Sequence, residues 1–417
     1  MIGPLRRRLP WALGVLALMP AVAAACTATN GADQPRIGGA TRPAPPEAAS
    51  DSASSGATAE GVFDDSVLFG QSAAFSGPAQ ELGLNMRLGI EAAFAEANRS
   101  GGVHGRRLEL AFRDDAYEPE AAVTNTQQLI DADGVFALIG EVGTPTSRSA
   151  TPVAAASGVP FIAPFTGAEF LRDDDWRNII NLRSSYYQET EEIVARLIAD
   201  QRADRIAVMF QDDSFGRAGY RGVLRALDRR GMEPVAIGLY PRNTAAVRTA
   251  LLDLQQGEPD AVVLVGAYEP VAALIAWARY LGEDWTFVTI SFVGANALAE
   301  ELGPFGDGVY VTQVVPFPDD DSLPVVASYL DALAAHDPGA APGFVSLEGY
   351  LAGRMAIVGL QRCGRDLSRS CFLDEILRGE PVEIDGFELR FGNDNQGSDA
   401  VFLTVIRGGR YVSAGSM

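Results

Sequence analysis

The chain has 417 residues, too many for one simple hydrophobic core, and its length therefore predicts two lobes. Its formal net charge is -21, with 54 acids against 33 bases, and no basic cluster lies beyond the extreme N-terminus. We therefore expect no nucleic-acid partner, because nucleic-acid binding needs a basic surface. The two histidines, His104 and His336, have no neighbours at metal-ligand spacing, so we expect neither a metal site nor a cofactor.

The N-terminus has the pattern of an export signal. Arginines at 6–8 precede an apolar stretch at 9–22, and three alanines follow before Cys26. A basic start, an apolar middle and small residues at the end are typical of a signal peptide, here residues 1–25.

Cys26 leaves two possibilities open. A cysteine directly after small residues resembles a bacterial lipoprotein signal, in which that cysteine is acylated and anchors the protein to a membrane; the usual leucine three places earlier is Ala23 here. The alternative is a soluble exported protein with an unmodified Cys26. Residues 26–61 are rich in Ala, Thr, Pro, Ser and Gly and predict a disordered tether. We expect the mature protein in the periplasm or on the outer face of a bacterial membrane, anchored at Cys26.

From residue 66 onward, short apolar runs alternate with helical patterns. Alternation with short connections predicts an α/β fold, in which helices cover both faces of parallel sheets. The alternation restarts near Arg183, and after Val315 the pattern changes to helices, so we predict two successive βα series. The predicted strands lie at 67–69, 108–112, 135–139, 160–164, 179–182, 206–210, 235–239, 261–265, 287–290, 309–315, 387–391 and 401–406.

The stretch 137–169 contains two predicted strand ends and one helix start. Thr144 is a good N-cap residue, and Pro145 suits the first helical position. The second strand ends just before Thr166 and Gly167. Hydroxyls and free backbone N–H groups at such a place favour a small anion such as a carboxylate. An ordinary βα turn with a helix cap is the alternative.

Two cysteines remain in the mature chain besides Cys26. Cys363 and Cys371 are eight positions apart, and a local disulfide between them suits an oxidising compartment. The alternative is a pair of unpaired thiols.

The sequence lacks the common catalytic signatures. It has no G-x-G-x-x-G after the first strand, no Walker-type phosphate loop and no G-x-S-x-G elbow. The acid pairs Asp114-Asp115 and Asp212-Asp213 follow predicted strands, and we interpret them as solvated turn residues. We therefore expect a protein that is not an enzyme.

Ten short blocks of sequence, in their order and spacing, resemble the periplasmic type I solute-binding proteins of the leucine/isoleucine/valine-binding class, which feed ABC importers. The resemblance covers nearly all of Ser66 to Ile406. The blocks are SAAFSGPAQELG, GGVHGRRLEL, DDAYEPEAAV, IGEVGTPTS, APFTGAEFLR, YQETEEIVARL, FQDDSFGRAGY, VGAYEP, ISFVGANAL and FVSLEGYLAG.

The resemblance implies two doubly wound parallel-sheet lobes joined by crossing hinge strands. Lobe 1 would comprise residues 62–183 and 316–385, and lobe 2 would comprise residues 184–315 and 386–413. A small-molecule ligand would lie between the lobes, which close on it like a trap. The further partners implied are an ABC transporter membrane permease and, through the lipid anchor, the membrane.

The resemblance also assigns ligand-binding residues. Thr144 stands where the family uses a hydroxyl at a helix N-terminus to bind the ligand carboxylate. Thr166 and Gly167 stand where a second strand-end loop contacts the same head group. Phe215 and Tyr268 occupy the aromatic positions of lobe 2 that cover the ligand on closure.

Tyr186 begins the helix after the first crossover, where it either reaches the cleft or packs at the helix start.

Two positions depart from the family pattern. The lobe 1 tyrosine of branched-chain binders is Leu82 here. The acid that holds the ligand ammonium falls on Ser291 or Phe292, and we count Phe292 among the ligand-binding residues. A ligand without an ammonium group is therefore expected at least as much as an α-amino acid, unless Glu141 or Glu269 supplies the charge.

The sequence as a whole predicts a binding protein that captures a carboxylate- or amide-containing solute and delivers it to an ABC importer. A ligand-sensing or regulatory envelope lipoprotein on the same fold, without transport, is the alternative.

Overall fold

The computed structural model describes residues 60–417, apart from 174, 379 and 393. The predicted signal peptide, Cys26 and nearly all of the predicted tether lie outside these residues. Glu60 and Gly61, the last two residues of that tether, already belong to the fold, because Leu68 donates a hydrogen bond of 2.9 Å to the Gly61 carbonyl and Glu60 pairs with Arg369.

The first sheet has five parallel strands in the order β2-β1-β3-β4-β5. It forms the predicted first βα series, and the helices between its strands cover both faces. The buried residues of the first helix recur every three or four positions, as its sequence predicts. The elements are β1 (Ser66–Ala73), α1 (Gln80–Arg99), β2 (Arg107–Asp114), α2 (Pro119–Asp131), β3 (Ala137–Ile139), α3 (Thr144–Ala156), β4 (Phe161–Ile162), β5 (Ile179–Ile180) and α4 (Tyr186–Gln201).

The second sheet has seven strands in the order β14-β13-β10-β9-β8-β6-β7. The strands from β10 to β7 are parallel, and two antiparallel strands close one edge. Its central strands are buried on both faces, which is typical of a helix-covered parallel sheet. The elements are β6 (Ile206–Gln211), α5 (Ser214–Asp228), β7 (Ile237–Tyr240), α6 (Arg248–Gln256), β8 (Ala261–Val265), α7 (Tyr268–Tyr280), β9 (Thr286–Thr289), α8 (Ala295–Leu302), β10 (Tyr310–Gln313), β13 (Phe402–Arg407) and β14 (Arg410–Ser413).

The remaining elements return to the first sheet. Here α10 packs on α1 so closely that a side chain at Gly89 would meet the Tyr350 backbone nitrogen at 2.5 Å. Cys363 and Cys371, which the sequence predicts to pair, form a disulfide between α10 and α11. The elements are α9 (Pro324–His336), α10 (Phe344–Cys363), α11 (Arg369–Leu377), β11 (Val382–Ile384) and β12 (Phe387–Leu389).

Two features differ from the sequence reading. The sequence analysis did not predict α11, β11 or β14, which are short. The hairpin of β11 and β12 spans position 385/386, which the resemblance suggests as a lobe boundary. The other proposed boundaries stay predictions.

Two segments run side by side where the chain passes between the sheets. Asn181 donates to the carbonyl of Asn395 and accepts from Gly397, both at 2.8 Å, in a parallel bridge. The Ser184 hydroxyl donates to the Ala400 carbonyl at 2.8 Å. These bonds hold two of the connections between the lobes together.

No helix among the described residues is long and apolar enough to cross a membrane.

Candidate ligand-binding site

The helix α3 begins at the end of β3, beside the end of β4. Its N-cap is Gly143, with φ of 106°, and Thr144 is the first helical residue. The prediction that Thr144 caps the helix is therefore wrong, because the left-handed glycine already turns the chain. The Thr144 hydroxyl is consequently available for other contacts, and within the described residues no side-chain cap accepts from the first-turn N–H groups.

Three hydroxyl groups meet beside this helix N-terminus. The hydroxyls of Thr144 and Thr166 share a hydrogen bond of 2.6 Å, and Thr166 donates to the Tyr186 hydroxyl at 3.2 Å. All three side chains are buried, and burial raises the pKa of Tyr186 to about 12. The cluster is therefore neutral at physiological pH and presents O–H groups to an acceptor.

Gly167 brings the second strand-end loop against α4. A Cβ at this position would lie 2.7 Å from the Tyr186 ring and 2.8 Å from its backbone nitrogen, so only glycine fits without displacement. Tyr186 itself is the first residue of α4, which is capped by Ser185 and Gln188. Tyr186 therefore packs at a helix start and also contacts Thr166, and its role in ligand binding stays a prediction.

The predicted aromatic residues form a buried group between the two sheets. The rings of Phe215 and Phe292 are 4.4 Å apart, and Tyr186 lies 5.7 Å from Phe215. Phe292 also lies 5.4 Å from Phe165 and 6.2 Å from Tyr117, both of the first lobe. Residues of both lobes are therefore in contact, and the cleft is closed.

Tyr268 lies apart from this aromatic group. It starts α7, and its neighbours are Gly294 and Leu82, the position of the family tyrosine in lobe 1. Burial raises the pKa of the Tyr268 hydroxyl to about 12. Among the described residues, none of the aromatic ring pairs includes Tyr268, so its ring does not belong to the group around Phe292.

Arg183 is a cleft residue that the sequence analysis treated only as a boundary. It is fully buried, lies 4.7 Å over the Phe165 ring and donates a hydrogen bond to the Ser291 hydroxyl. Two buried acids flank it at 3.7 and 3.6 Å, Glu189 and Glu348. It directly follows the predicted strand at 179–182, and that position at a strand end was the signal that could have identified it.

Ser291 stands where the family has an acid and cannot replace it, but it contacts a buried acid from α4, Glu189. Glu189 accepts hydrogen bonds from the Ser291 backbone at 2.8 Å, from the Ser291 hydroxyl at 2.9 Å and from Thr312 at 2.5 Å. Burial raises the pKa of Glu348 to about 7, and the charge of Arg183 limits that rise. The charged side chains of Arg183, Glu189 and Glu348 therefore already pair with one another.

The two other acids considered for an ammonium group differ in burial. Glu141 is 2% exposed, whereas Glu269 is half-buried in the first turn of α7. Asp115 is buried near Glu141 and accepts from Ser72 at 2.8 Å. The interpretation of Asp115 as a solvated turn residue is therefore wrong, because its carboxylate is buried and accepts hydrogen bonds from Ser72 and from the Tyr117 backbone.

Asp213 has a structural role at the second acid pair. Its carboxylate caps α5 by accepting from the backbone N–H groups of Phe215 at 2.9 Å and Gly216 at 3.2 Å. Across the rim, Arg242 pairs with Glu118 at 2.7 Å, and Asn243 donates to the same carboxylate at 2.7 Å. These contacts join the two lobes at the edge of the closed cleft.

Among the residues that the structure describes, no group of three or more metal-ligating side chains occurs.

Comparison with known proteins agrees with this architecture. The periplasmic binding protein family matches residues 66–410. The solved structure of a possible leucine/isoleucine/valine-binding protein from Rhodopirellula baltica SH 1 is 39% identical to this chain, with a TM-score of 0.80, and the match covers 84% of this chain and 96% of that one. A substrate-binding periplasmic protein from Ralstonia solanacearum is 26% identical, with a TM-score of 0.79 over 83% of this chain and 99% of that one.

A curated relative matches over a shorter length. The Leu/Ile/Val-binding protein homolog 7 of Brucella abortus is 28% identical over 208 residues, which is 48% of this chain. The match spans 52% of that relative, about half of its length. From the family match and the fold together, we conclude that the chain belongs to the periplasmic binding protein family, as a type I member of the leucine/isoleucine/valine-binding class.

Proposed function

We propose that the protein is an extracytoplasmic solute-binding protein, and not an enzyme, that captures a small carboxylate- or amide-containing ligand between its lobes. The ligand is an amino acid or a related compound, and the protein delivers it to the permease of an ABC importer. The Rhodopirellula and Brucella relatives, whose names refer to leucine, isoleucine and valine, support this ligand class.

The observation that carries the proposal is the cluster of three buried hydroxyls at the start of α3. A carboxylate there would accept hydrogen bonds from Thr144 and Thr166 in place of their mutual bond, and from the uncapped N–H groups of the helix. The positive end of the helix dipole adds to this attraction. The neighbouring aromatic rings would cover an apolar portion of the ligand.

A thermal-shift screen of amino acids, amides and aromatic acids, followed by calorimetry, tests this proposal. With the best ligand, we expect Thr144→Ala to weaken binding by about tenfold or more, because a lost hydrogen bond to a charged group is worth about 1.5–3 kcal/mol. We expect a loss of similar size in Tyr268→Ala, because a ligand that extends to the start of α7 would lose the apolar cover of this ring. Thr124→Ala, an exposed threonine on α2, is the matched control. Unchanged affinity in both site variants would refute the assignment, and a protein that no metabolite stabilises but that captures an envelope partner would favour the regulatory alternative.

The proposed location is the periplasm or the outer face of a bacterial membrane, with Cys26 as the lipid anchor. We expect Cys26→Ser to release the protein into the aqueous phase on detergent partitioning, because one stable anchor is removed. A variant that still enters the detergent phase would contradict lipidation at this residue. The control is Cys363→Ser with Cys371→Ser, which leaves the proposed anchor intact.

A further inference from the structure

We propose that Glu141, together with Asp115 and Tyr117, forms a position in the cleft for a positively charged amine of the ligand. This inference rests on the proposed function, since it assigns a second chemical group to the ligand whose carboxylate lies at Thr144. It also places the cation in lobe 1, away from the lobe 2 position where the family pattern would put an acid.

Glu141 is a buried acid without an internal partner. It lies in the turn between β3 and α3, three residues before Thr144, and is 2% exposed. Among the residues that the structure describes, neither of its carboxylate oxygens has a hydrogen-bond partner. An ionised carboxylate so placed is costly unless a cation pairs with it. Burial accordingly raises the pKa of Glu141 well above its usual value.

A second carboxylate lies close to the first. Asp115 is 1% exposed and accepts from the Ser72 hydroxyl and from the Tyr117 backbone, at 2.8 and 2.9 Å. Its charge adds to the rise in the pKa of Glu141. Burial raises the pKa of Asp115 itself to about 7. A cation between the two carboxylates would relieve both the repulsion and the desolvation.

Tyr117 connects this acid pair to the ligand cleft. A Cβ at Gly143 would lie 2.9 Å from its ring carbon Cδ2, so the ring covers the start of α3. The same ring is 6.2 Å from that of Phe292 in the second lobe. Its fully buried hydroxyl lies beside Gln211 of the second lobe. Tyr117 therefore borders both the turn that carries Glu141 and the aromatic group of the cleft.

The chemistry of this position fits an ammonium group better than a metal ion. Two carboxylates and a phenol fall short of the six to eight oxygen ligands that calcium takes. No larger set of metal-ligating side chains occurs in the described part of the chain. A protonated amine has three N–H donors, which the oxygens of two carboxylates can accept.

Matched ligand pairs test the charge requirement on the full mature protein. We would measure binding of L-leucine against 4-methylpentanoate, L-phenylalanine against 3-phenylpropanoate, and 4-aminobutanoate against butanoate. In any pair that binds, we expect the amine to bind about tenfold or more tightly than its deaminated partner. Equal binding within the pair overturns the cation position and leaves the carboxylate site standing, whereas no binding across all six compounds rejects both.

The isosteric variant Glu141→Gln locates the amine. We expect it to weaken binding of the amine about tenfold while the deaminated partner binds as before. Glu120→Gln, an exposed acid on α2, is the control, and Glu269→Gln tests the other candidate acid. A loss of amine binding in Glu269→Gln alone would overturn the proposal, because the cation would then belong to lobe 2.

Stability of the empty protein separates this role from a structural one. Among the described residues, the charged group that acts on Glu141 is Asp115, which in turn lies near Asp114 and Glu118, and Glu118 pairs with Arg242 at the rim. Because its pKa is raised on folding, the penalty for ionising Glu141 is absent below about pH 4.5 and grows as the pH rises. We expect Glu141→Gln to raise the melting temperature increasingly above that pH. A lower melting temperature with equal weakening of both ligands would show a structural role instead.

Discussion

Within the described part of the chain, two ionic contacts join the lobes, and they differ mainly in burial. At the closed base of the cleft, Arg183 lies 3.7 Å from Glu189 and 3.6 Å from Glu348, and these side chains are 0–3% exposed. At the rim, Arg242 lies 2.7 Å from Glu118, and the two side chains are 24% and 45% exposed. The rim pair has the shorter distance, but it is largely in water.

This difference determines what each contact contributes. Water screens the rim pair, so its net contribution is about 0–1 kcal/mol despite good geometry. Breaking the buried group by removing one member would leave an uncompensated charge in the interior, which costs about 3–5 kcal/mol. The shorter distance therefore does not identify the contact that contributes more to stability. We expect the buried group to support the fold and the rim pair to adjust the closure of the cleft.

The largest expected effect comes from Arg183→Met. The variant leaves two buried acids without their cation, and we expect the free energy of unfolding at neutral pH to fall by about 3–5 kcal/mol. Urea unfolding measures this loss. Glu348 already has a pKa of about 7, and without the guanidinium it would be neutral more readily. Because a raised acid pKa gives a penalty that grows with pH, the loss should shrink as the pH falls towards about 4.5.

Arg217→Met is the matched control for that measurement. Its ion pair with Asp212 is 2.6 Å long, but the two side chains are 56% and 47% exposed. We expect this variant to change stability by about 0.5 kcal/mol or less. A loss of less than about 1 kcal/mol in Arg183→Met would refute the view that burial, and not distance, sets the contribution of these contacts.

The same contrast shows what the sequence could and could not predict. The alternation of apolar runs and helical patterns predicts both sheets, because these patterns are local. Thr144 and Thr166 each follow a predicted strand. Because the carboxyl ends of parallel strands meet at the same edge of a sheet, the sequence alone predicts that these two residues lie close together. The partners of Arg183 are 6 and 165 positions away, so no local pattern indicates that a single arginine lies between both acids. The proximity of Glu141 to Asp115, a residue of a different strand end, is likewise not indicated by any local pattern.

The smallest expected effect concerns the rim. Glu118→Gln keeps the side-chain shape but removes its charge, which weakens the contacts with Arg242 and Asn243. We expect the closed form to lose up to about 1 kcal/mol, which weakens ligand binding up to about fivefold without changing the unfolding midpoint. Raising the ionic strength should bring the wild-type affinity towards that of the variant, since salt screens exposed pairs.

Glu120→Gln, two residues along α2 and exposed, should leave the affinity unchanged. A loss well beyond tenfold, or a wild-type affinity insensitive to salt, would mean that the rim contact does more than adjust closure.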